Sequence, residues 1–182
     1  RNVEITKKDK ASFNKVQSAF LKDNTATYDI KFQTERTPKI KIEVDYLPPL
    51  EFETEVSILK GSEPAAVRSF TLPSLFAGKM HALIYRQWKN RVKGRDWYDF
   101  EWYVNNGIEL DLKHFSRRAK EFEGIDVTEK SFRQSLIEKI QSTDIESAKA
   151  DVLPFIQDKS RLDNWSKEYF LDLASKVKIK KN

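Results

Sequence analysis

The chain has 182 residues and a net charge of +5, and charged side chains make up 34% of it. It contains no Cys and two His, so disulfides, thiolate metal sites and His-rich zinc sites are excluded. Any metal must be held by oxygen, which indicates Mg²⁺ or Mn²⁺. No apolar run approaches the ~18 residues of a membrane span, whereas 12 Phe, 4 Trp and 6 Tyr can supply a core. We therefore expect a folded cytoplasmic protein.

The first part of the sequence predicts one helix followed by strands. Apolar residues recur at helical spacing in residues 10–22, which indicates an amphipathic helix. Apolar and polar residues then alternate in residues 26–34, more strictly in 38–48, and again in 50–59, so three successive strands are expected. Successive strands followed by helices indicate an α+β fold with a mostly antiparallel sheet.

The second part of the sequence predicts helices. Thr71 is suited to cap a helix that continues over residues 74–88, and a basic loop leads to the next helix at residues 95–104. Four further helices are expected, at residues 112–123, 128–141, 144–151 and 164–176. Because no linker separates them, we expect residues 1–107 to form a sheet-and-helix core and residues 108–182 a helical bundle packed with it as one unit.

Glu43 and Asp45 are two residues apart on the strand predicted for residues 38–48. Alternate residues of a strand lie on one face, so both carboxylates leave the sheet on the same side. Such a pair is ordinary on a solvent-facing strand, and it is also a platform for Mg²⁺. A nuclease motif of the PD-(D/E)xK kind is excluded, because that motif requires a Lys where Asp45 stands.

Lys79 is predicted to lie among apolar residues of its helix. On a helical wheel it falls between Leu75 and Leu83, inside the apolar stripe. A Lys in that position either extends its ammonium to solvent or meets an anion. Arg86 lies two turns further on nearly the same line, so two cations are expected on one face.

Asp96 and Asp99 are neighbours on one face of the following helix, because they are three residues apart. Acids are favourable near a helix start, but two at this spacing repel each other unless a cation lies close. Arg95, Lys79 or a metal ion can supply that cation. The segment 86–95 holds five cations and no acid, which fits either a solvated loop or one that contacts phosphate.

Four blocks of the sequence resemble the AbiEii/AbiGii toxin family in their order and spacing. They are KIEVD at 41–45, LPSLFAGKMHALIYR at 72–86, KGRDWYDFEWYV at 93–104, and DVLPFI with DNWSKEYFLDLA between 151 and 174. The resemblance covers residues 38–174. It implies a nucleotidyltransferase fold and a toxin of type IV toxin–antitoxin and phage-abortive systems. It further implies transfer of a nucleotide from an NTP to RNA, especially tRNA, with Mg²⁺, and a cognate antitoxin as partner.

The resemblance also implies roles for individual residues. In the family, a helix Lys contacts the nucleotide phosphates, an R-D-x-x-D motif is required for activity, and a strand carboxylate can act as the third acid. The implied catalytic acids are Glu43, Asp45, Asp96 and Asp99, the implied metal ligands Glu43 and Asp45, and the implied phosphate-binding cations Lys79, Arg86 and Arg95.

One element of the family pattern is missing from the sequence. The family begins with a Gly-Ser turn and D-x-D, which grip the triphosphate and hold most of the Mg²⁺. The chain starts at Arg1, about where the strand after D-x-D would finish. We therefore expect the C-terminal part of a longer protein, inactive as a transferase by itself. The alternative is a non-catalytic relative that binds a partner protein or RNA through residues 86–95.

Overall fold

The computed structural model describes residues 3–7, 16–23, 39–45, 47–61, 63–86 and 91–181. It divides into two compact units, Arg1–Pro48 and Pro49–Asn182, and each is described by itself. Antiparallel strands precede a series of helices, so the expected α+β class is confirmed. The division predicted at residue 107 stays a prediction.

The first unit contains a three-stranded antiparallel sheet in the order β1–β2–β3. The strands are β1 Val3–Lys7, β2 Val16–Asp23 and β3 Lys39–Asp45. The central strand pairs Leu21 with Ile5 of β1 and with Ile40 of β3. The strand predicted for residues 38–48 is confirmed, and the one predicted for residues 26–34 lies outside the described residues.

The helix predicted for residues 10–22 is wrong over its second part, because Val16–Asp23 is a strand. Val16 and Phe20 are four residues apart, which fits one face of a helix and equally fits alternate positions of a strand. As the central strand, β2 makes backbone hydrogen bonds on both sides. These hydrogen bonds outweigh the weak helical spacing of the apolar residues. Residues 10–15 lie outside the described part.

The second unit begins with an antiparallel hairpin and continues as a bundle of helices. Its elements are β4 Thr54–Leu59, β5 Ala65–Phe70, α1 Leu72–Tyr85, α2 Gly94–Asn105, α3 Leu112–Glu123, α4 Glu129–Ser142, α5 Ile145–Val152 and α6 Lys167–Lys176, with 3₁₀ turns at Leu153–Phe155 and Lys159–Leu162. All of the predicted helices from residue 74 onward are confirmed. None of the helices in the described ranges has the length and apolar content that crossing a bilayer requires.

The helices of the second unit share an apolar core rich in aromatic rings. Its largest buried side chains include Phe76, Phe100, Phe115, Phe132, Trp165 and Phe170. Trp97 of α2 meets Phe170 of α6 edge-on, with ring centroids 4.9 Å apart. Since α1 and α2 both contribute to this core, it fixes the two helices that carry most of the predicted site.

α2 begins in close contact with α5. A Cβ at Gly94 would overlap the carbonyl oxygen of Ala148 and lie 3.0 Å from the Cβ of Val152. The Gly94 N–H donates to Oδ2 of Asp151 at 2.9 Å, and Nε of Arg91 donates to Oδ1 at 2.7 Å. One carboxylate therefore satisfies an N–H of the helix start and anchors the segment before it.

Candidate active site

α1 and α2 pack side by side and bring Lys79 and Asp99 together. The Nζ atom of Lys79 donates to Oδ2 of Asp99 in an ion pair. Lys79 is one of the cations that the sequence offered for the acids of the next helix, and the structure pairs it with Asp99. The Lys79 side chain is 45% exposed and that of Asp99 33%, so the pair lies near the surface.

The position of Lys79 on α1 differs from the prediction. The apolar stripe was expected to run through Leu75, Lys79 and Leu83, but the buried face carries Phe76, Met80 and Leu83, whereas Leu75 is 39% exposed. A helical wheel shows which side chains share a face of the helix. Which of these faces is buried depends on where the neighbouring helices pack. Lys79 therefore lies at the exposed margin of α1, where an anionic ligand can reach it.

Asp96 lies one turn before Asp99 and is only 5% exposed. Burial raises the pKa of Asp96, and the positive charges of Lys93, Lys79 and Arg86 oppose that rise. The Nζ atom of Lys93 lies 3.9 Å from Oδ1 of Asp96. A buried acid with a shifted pKa among charged groups is typical of functional sites, although structural networks produce it too.

A pocket of about 1080 Å³ lies beside Asp96. Its walls come from the end of α1, residues 91–93, the start of α2, the end of α4, and α5. Among the described residues, its charged lining consists of the cations Arg86, Arg91, Lys93 and Lys139 and the acids Asp96, Asp144 and Asp151. Two of the predicted site residues, Arg86 and Asp96, therefore line the same pocket. The α4 and α5 residues were missed by the sequence analysis.

Arg95 is directed differently from Asp96, its neighbour in the sequence. Its guanidinium lies over the ring of Phe155, 5.1 Å from the centroid. Arg95 is exposed, and it does not belong to the lining of the pocket beside Asp96. Its phosphate-binding role stays a prediction.

Glu43 and Asp45 lie on β3 in the first unit. Asp45 is exposed, and its Oδ1 accepts a hydrogen bond from the backbone N–H of Leu47 at 3.1 Å. The side chain of Glu43 lies outside the described part. The catalytic roles that the resemblance implies for these two acids stay predictions.

Among the described residues, no group of three His, Asp or Glu side chains is placed to hold a metal ion. Asp99 is paired with Lys79, and Asp96 lies among cations, which oppose the approach of a divalent ion. These side chains therefore do not form a Mg²⁺ site by themselves. Metal binding by Glu43 and Asp45 stays a prediction.

The comparisons with known proteins assign the chain to a class of nucleotidyltransferase toxins. The family model described as "Nucleotidyl transferase AbiEii toxin, Type IV TA system" matches residues 2–173. The chain belongs to this AbiEii family. The match includes Lys79, Asp96 and Asp99, and it begins nearer the N-terminus than the resemblance drawn from the sequence blocks. No curated protein and no solved structure matches the chain significantly.

Proposed function

We propose that the protein acts in a toxin that transfers a nucleotide from an NTP to an acceptor RNA, with tRNA the favoured acceptor. Membership of the AbiEii family over residues 2–173 carries this proposal. The ion pair between Lys79 and Asp99 supports it, because the pair joins the two sequence blocks to which the resemblance assigns phosphate binding and activity. A cognate antitoxin is the proposed partner, since the family is that of a type IV toxin–antitoxin system.

The proposed reaction is an in-line displacement at the α-phosphorus of the NTP. An acceptor hydroxyl oxygen forms the new O–P bond, the bond from the α-phosphorus to the bridging oxygen breaks, and pyrophosphate leaves with the electron pair. The hydroxyl proton passes to a carboxylate. Asp96 is suited to accept it, because burial raises its pKa and a raised pKa makes a stronger base. Mg²⁺ or Mn²⁺, the proposed cofactor, would offset phosphate charge when bound.

Lys79 is proposed to bind the phosphates of the NTP. Its present partner is Asp99, and both side chains are partly exposed to solvent. Exposed ion pairs typically contribute about 0–1 kcal/mol to the stability of a protein. Replacing the Asp99 carboxylate by a phosphate as the partner of Lys79 therefore costs little stability. An ion pair of this kind keeps the ammonium oriented until the nucleotide arrives.

The proposal is tested by incorporation of labelled nucleotide into RNA. The product of the complete reading frame is incubated with each α-³²P-labelled NTP, Mg²⁺ and total tRNA, and the RNA is resolved on a denaturing gel. We expect labelled RNA with at least one NTP. We expect Lys79→Met, Asp96→Asn and Asp99→Asn each to reduce labelling by about 100-fold or more, in the range of general acid–base and electrostatic contributions.

Lys130→Gln is the matched control, because Lys130 is an exposed Lys on α4 outside the pocket. It should label RNA as the unchanged protein does. Failure of the complete product to label any RNA would contradict the transferase proposal. Retained tRNA binding in that case would favour the non-catalytic binding module.

A further inference from the structure

Lys139 is a cation of the pocket beside Asp96 that has no counter-ion among the described residues. It lies in the last turn of α4 and lines the pocket. Within the described ranges, no carboxylate pairs with its ammonium. Burial lowers the pKa of Lys139. A partly buried ammonium without a counter-charge is unfavourable, and an anionic ligand would relieve that cost.

Two acids of the pocket, Asp144 and Asp151, are directed to structural partners. Oδ1 of Asp151 lies 2.5 Å from Nη2 of Arg91, and its other oxygen accepts from the start of α2. Asp144 caps α5 by accepting from the N–H groups of Glu146 and Ser147 at 3.1 and 3.2 Å. These carboxylates therefore serve helix starts and an Arg, and they leave the charge of Lys139 uncompensated.

The other surfaces of the pocket are both apolar and hydroxyl-bearing. Leu83, Val92 and Trp97 supply apolar wall, and Ser142 and Thr143 supply hydroxyl groups. The volume of about 1080 Å³ lies slightly above the usual range for ligand sites, roughly 300–1,000 Å³, so the pocket is large enough for a small molecule. A ligand that suits this lining combines an anionic group with an uncharged ring or sugar.

We propose that this pocket binds a phosphate ester of a nucleoside, with Lys139 and Arg86 contacting the phosphate. The choice of ligand class rests on the proposed function, while the site itself rests on the charge and lining of the pocket. Asp96 belongs to this lining and also lies one turn from Asp99, so a ligand here would be adjacent to the Lys79 pair. The phosphate ester can come from a free NTP or from an RNA strand.

Isothermal titration of the 182-residue chain separates the two sources. The probes are ATP and the other NTPs in one arm and a single-stranded RNA of four nucleotides in the other. The variants are Lys139→Gln, Lys139→Arg, which retains the charge, and Lys130→Gln, an exposed Lys on the same helix. Thermal melts of each variant establish that it is folded.

At least one probe is expected to bind, and Lys139→Gln should weaken that binding about 10- to 100-fold, as expected for the loss of a hydrogen bond to a charged group. Lys139→Arg should retain most of the affinity, and Lys130→Gln should retain all of it. An effect confined to the NTP arm assigns the site to the nucleotide substrate. An effect confined to the RNA arm assigns it to the acceptor.

Equal affinity of Lys139→Gln and the unchanged chain for every probe would overturn the inference, as would failure of every probe to bind. The outcome is independent of transferase activity. If Lys139 governs binding but the complete gene product labels no RNA, the pocket stands and the proposed function fails. If RNA is labelled but Lys139→Gln binds normally, the proposed function stands and the pocket inference fails.

Discussion

The two sides of α2 make different kinds of contact with their neighbouring helices. Toward α5, Gly94 leaves no room for a side chain against Ala148, and Asp151 binds the helix start. Toward α1, the contact includes an ion pair between two partly exposed side chains, Lys79 and Asp99. The close-packed side sets the position of the helix, whereas the exposed pair can be exchanged for a ligand. Stability and activity should therefore respond to different substitutions along the same helix.

The largest effect on stability is expected at Gly94. Gly94→Ala should lower the free energy of unfolding by about 3 kcal/mol, because the added methyl group overlaps the backbone of α5. Urea denaturation followed by circular dichroism measures it. Gly78→Ala on α1 is the control, since a Cβ there meets nothing within 4 Å. Its stability should rise by up to about 1 kcal/mol, and equal effects of the two changes would show that the α2–α5 contact is not tight.

Loss of the Asp151 carboxylate should have the next largest effect. Asp151→Ala removes the acceptor of the Gly94 N–H and the partner of Arg91, and should cost about 2 kcal/mol, as hydrogen bonds to charged groups do. Asp172→Ala is the control, because Asp172 forms an exposed pair with Lys176. If urea melts show the same small decrease in the free energy of unfolding for both variants, Asp151 does not anchor α2.

Asp96→Asn is expected to abolish activity without lowering the stability of the protein. Burial raises the folded-state pKa of Asp96 above its usual 3.8, so the ionised side chain opposes folding at neutral pH, and this cost disappears as the pH falls through the folded pKa. The variant should be as stable as the unchanged protein or more stable at pH 7, because it lacks the buried charge. The difference should vanish in acid, while RNA labelling is lost. Destabilisation at pH 7 in urea melts would instead indicate a structural acid.

The smallest effect on stability is expected at the exposed pair. Lys79→Met and Asp99→Asn should each change the free energy of unfolding by less than about 1 kcal/mol, because both side chains are partly solvated. A double-mutant cycle measures their coupling, and the same cycle on Lys176 and Asp172 gives the reference for an ordinary surface pair. A loss of several kcal/mol on changing Lys79 alone would identify a structural pair and contradict the proposed exchange with phosphate.

The sequence predicted those features that depend on local spacing. The helices from α1 onward follow from their apolar period, and Lys79 was one of the cations that the sequence offered for Asp96 and Asp99. The strand β2 was missed, because spacing between Val16 and Phe20 does not distinguish a helix from a strand that has partners on both sides.

The orientation of α1 and the pocket could not be predicted in the same way. The exposure of Leu75 and Lys79 depends on which helices cover α1, and no wheel contains that information. Lys139 and Asp151 lie far along the chain from Arg86 and Gly94, so only the packed bundle brings them together. The family resemblance assigned roles to residues of α1 and α2, and it assigned none to residues of α4 or α5, although its fourth block begins at Asp151.

The contact at Gly94 has a consequence for the way a ligand would enter the pocket. Both helices that meet there, α2 and α5, also form pocket wall, so part of this wall is positioned by backbone against backbone. Such a wall is preorganised, and little conformational entropy remains to be lost there when a ligand binds. Selection among nucleotides in this pocket would therefore follow from the fit of the ligand to a rigid shape, with adjustment confined to the long cationic side chains at its rim.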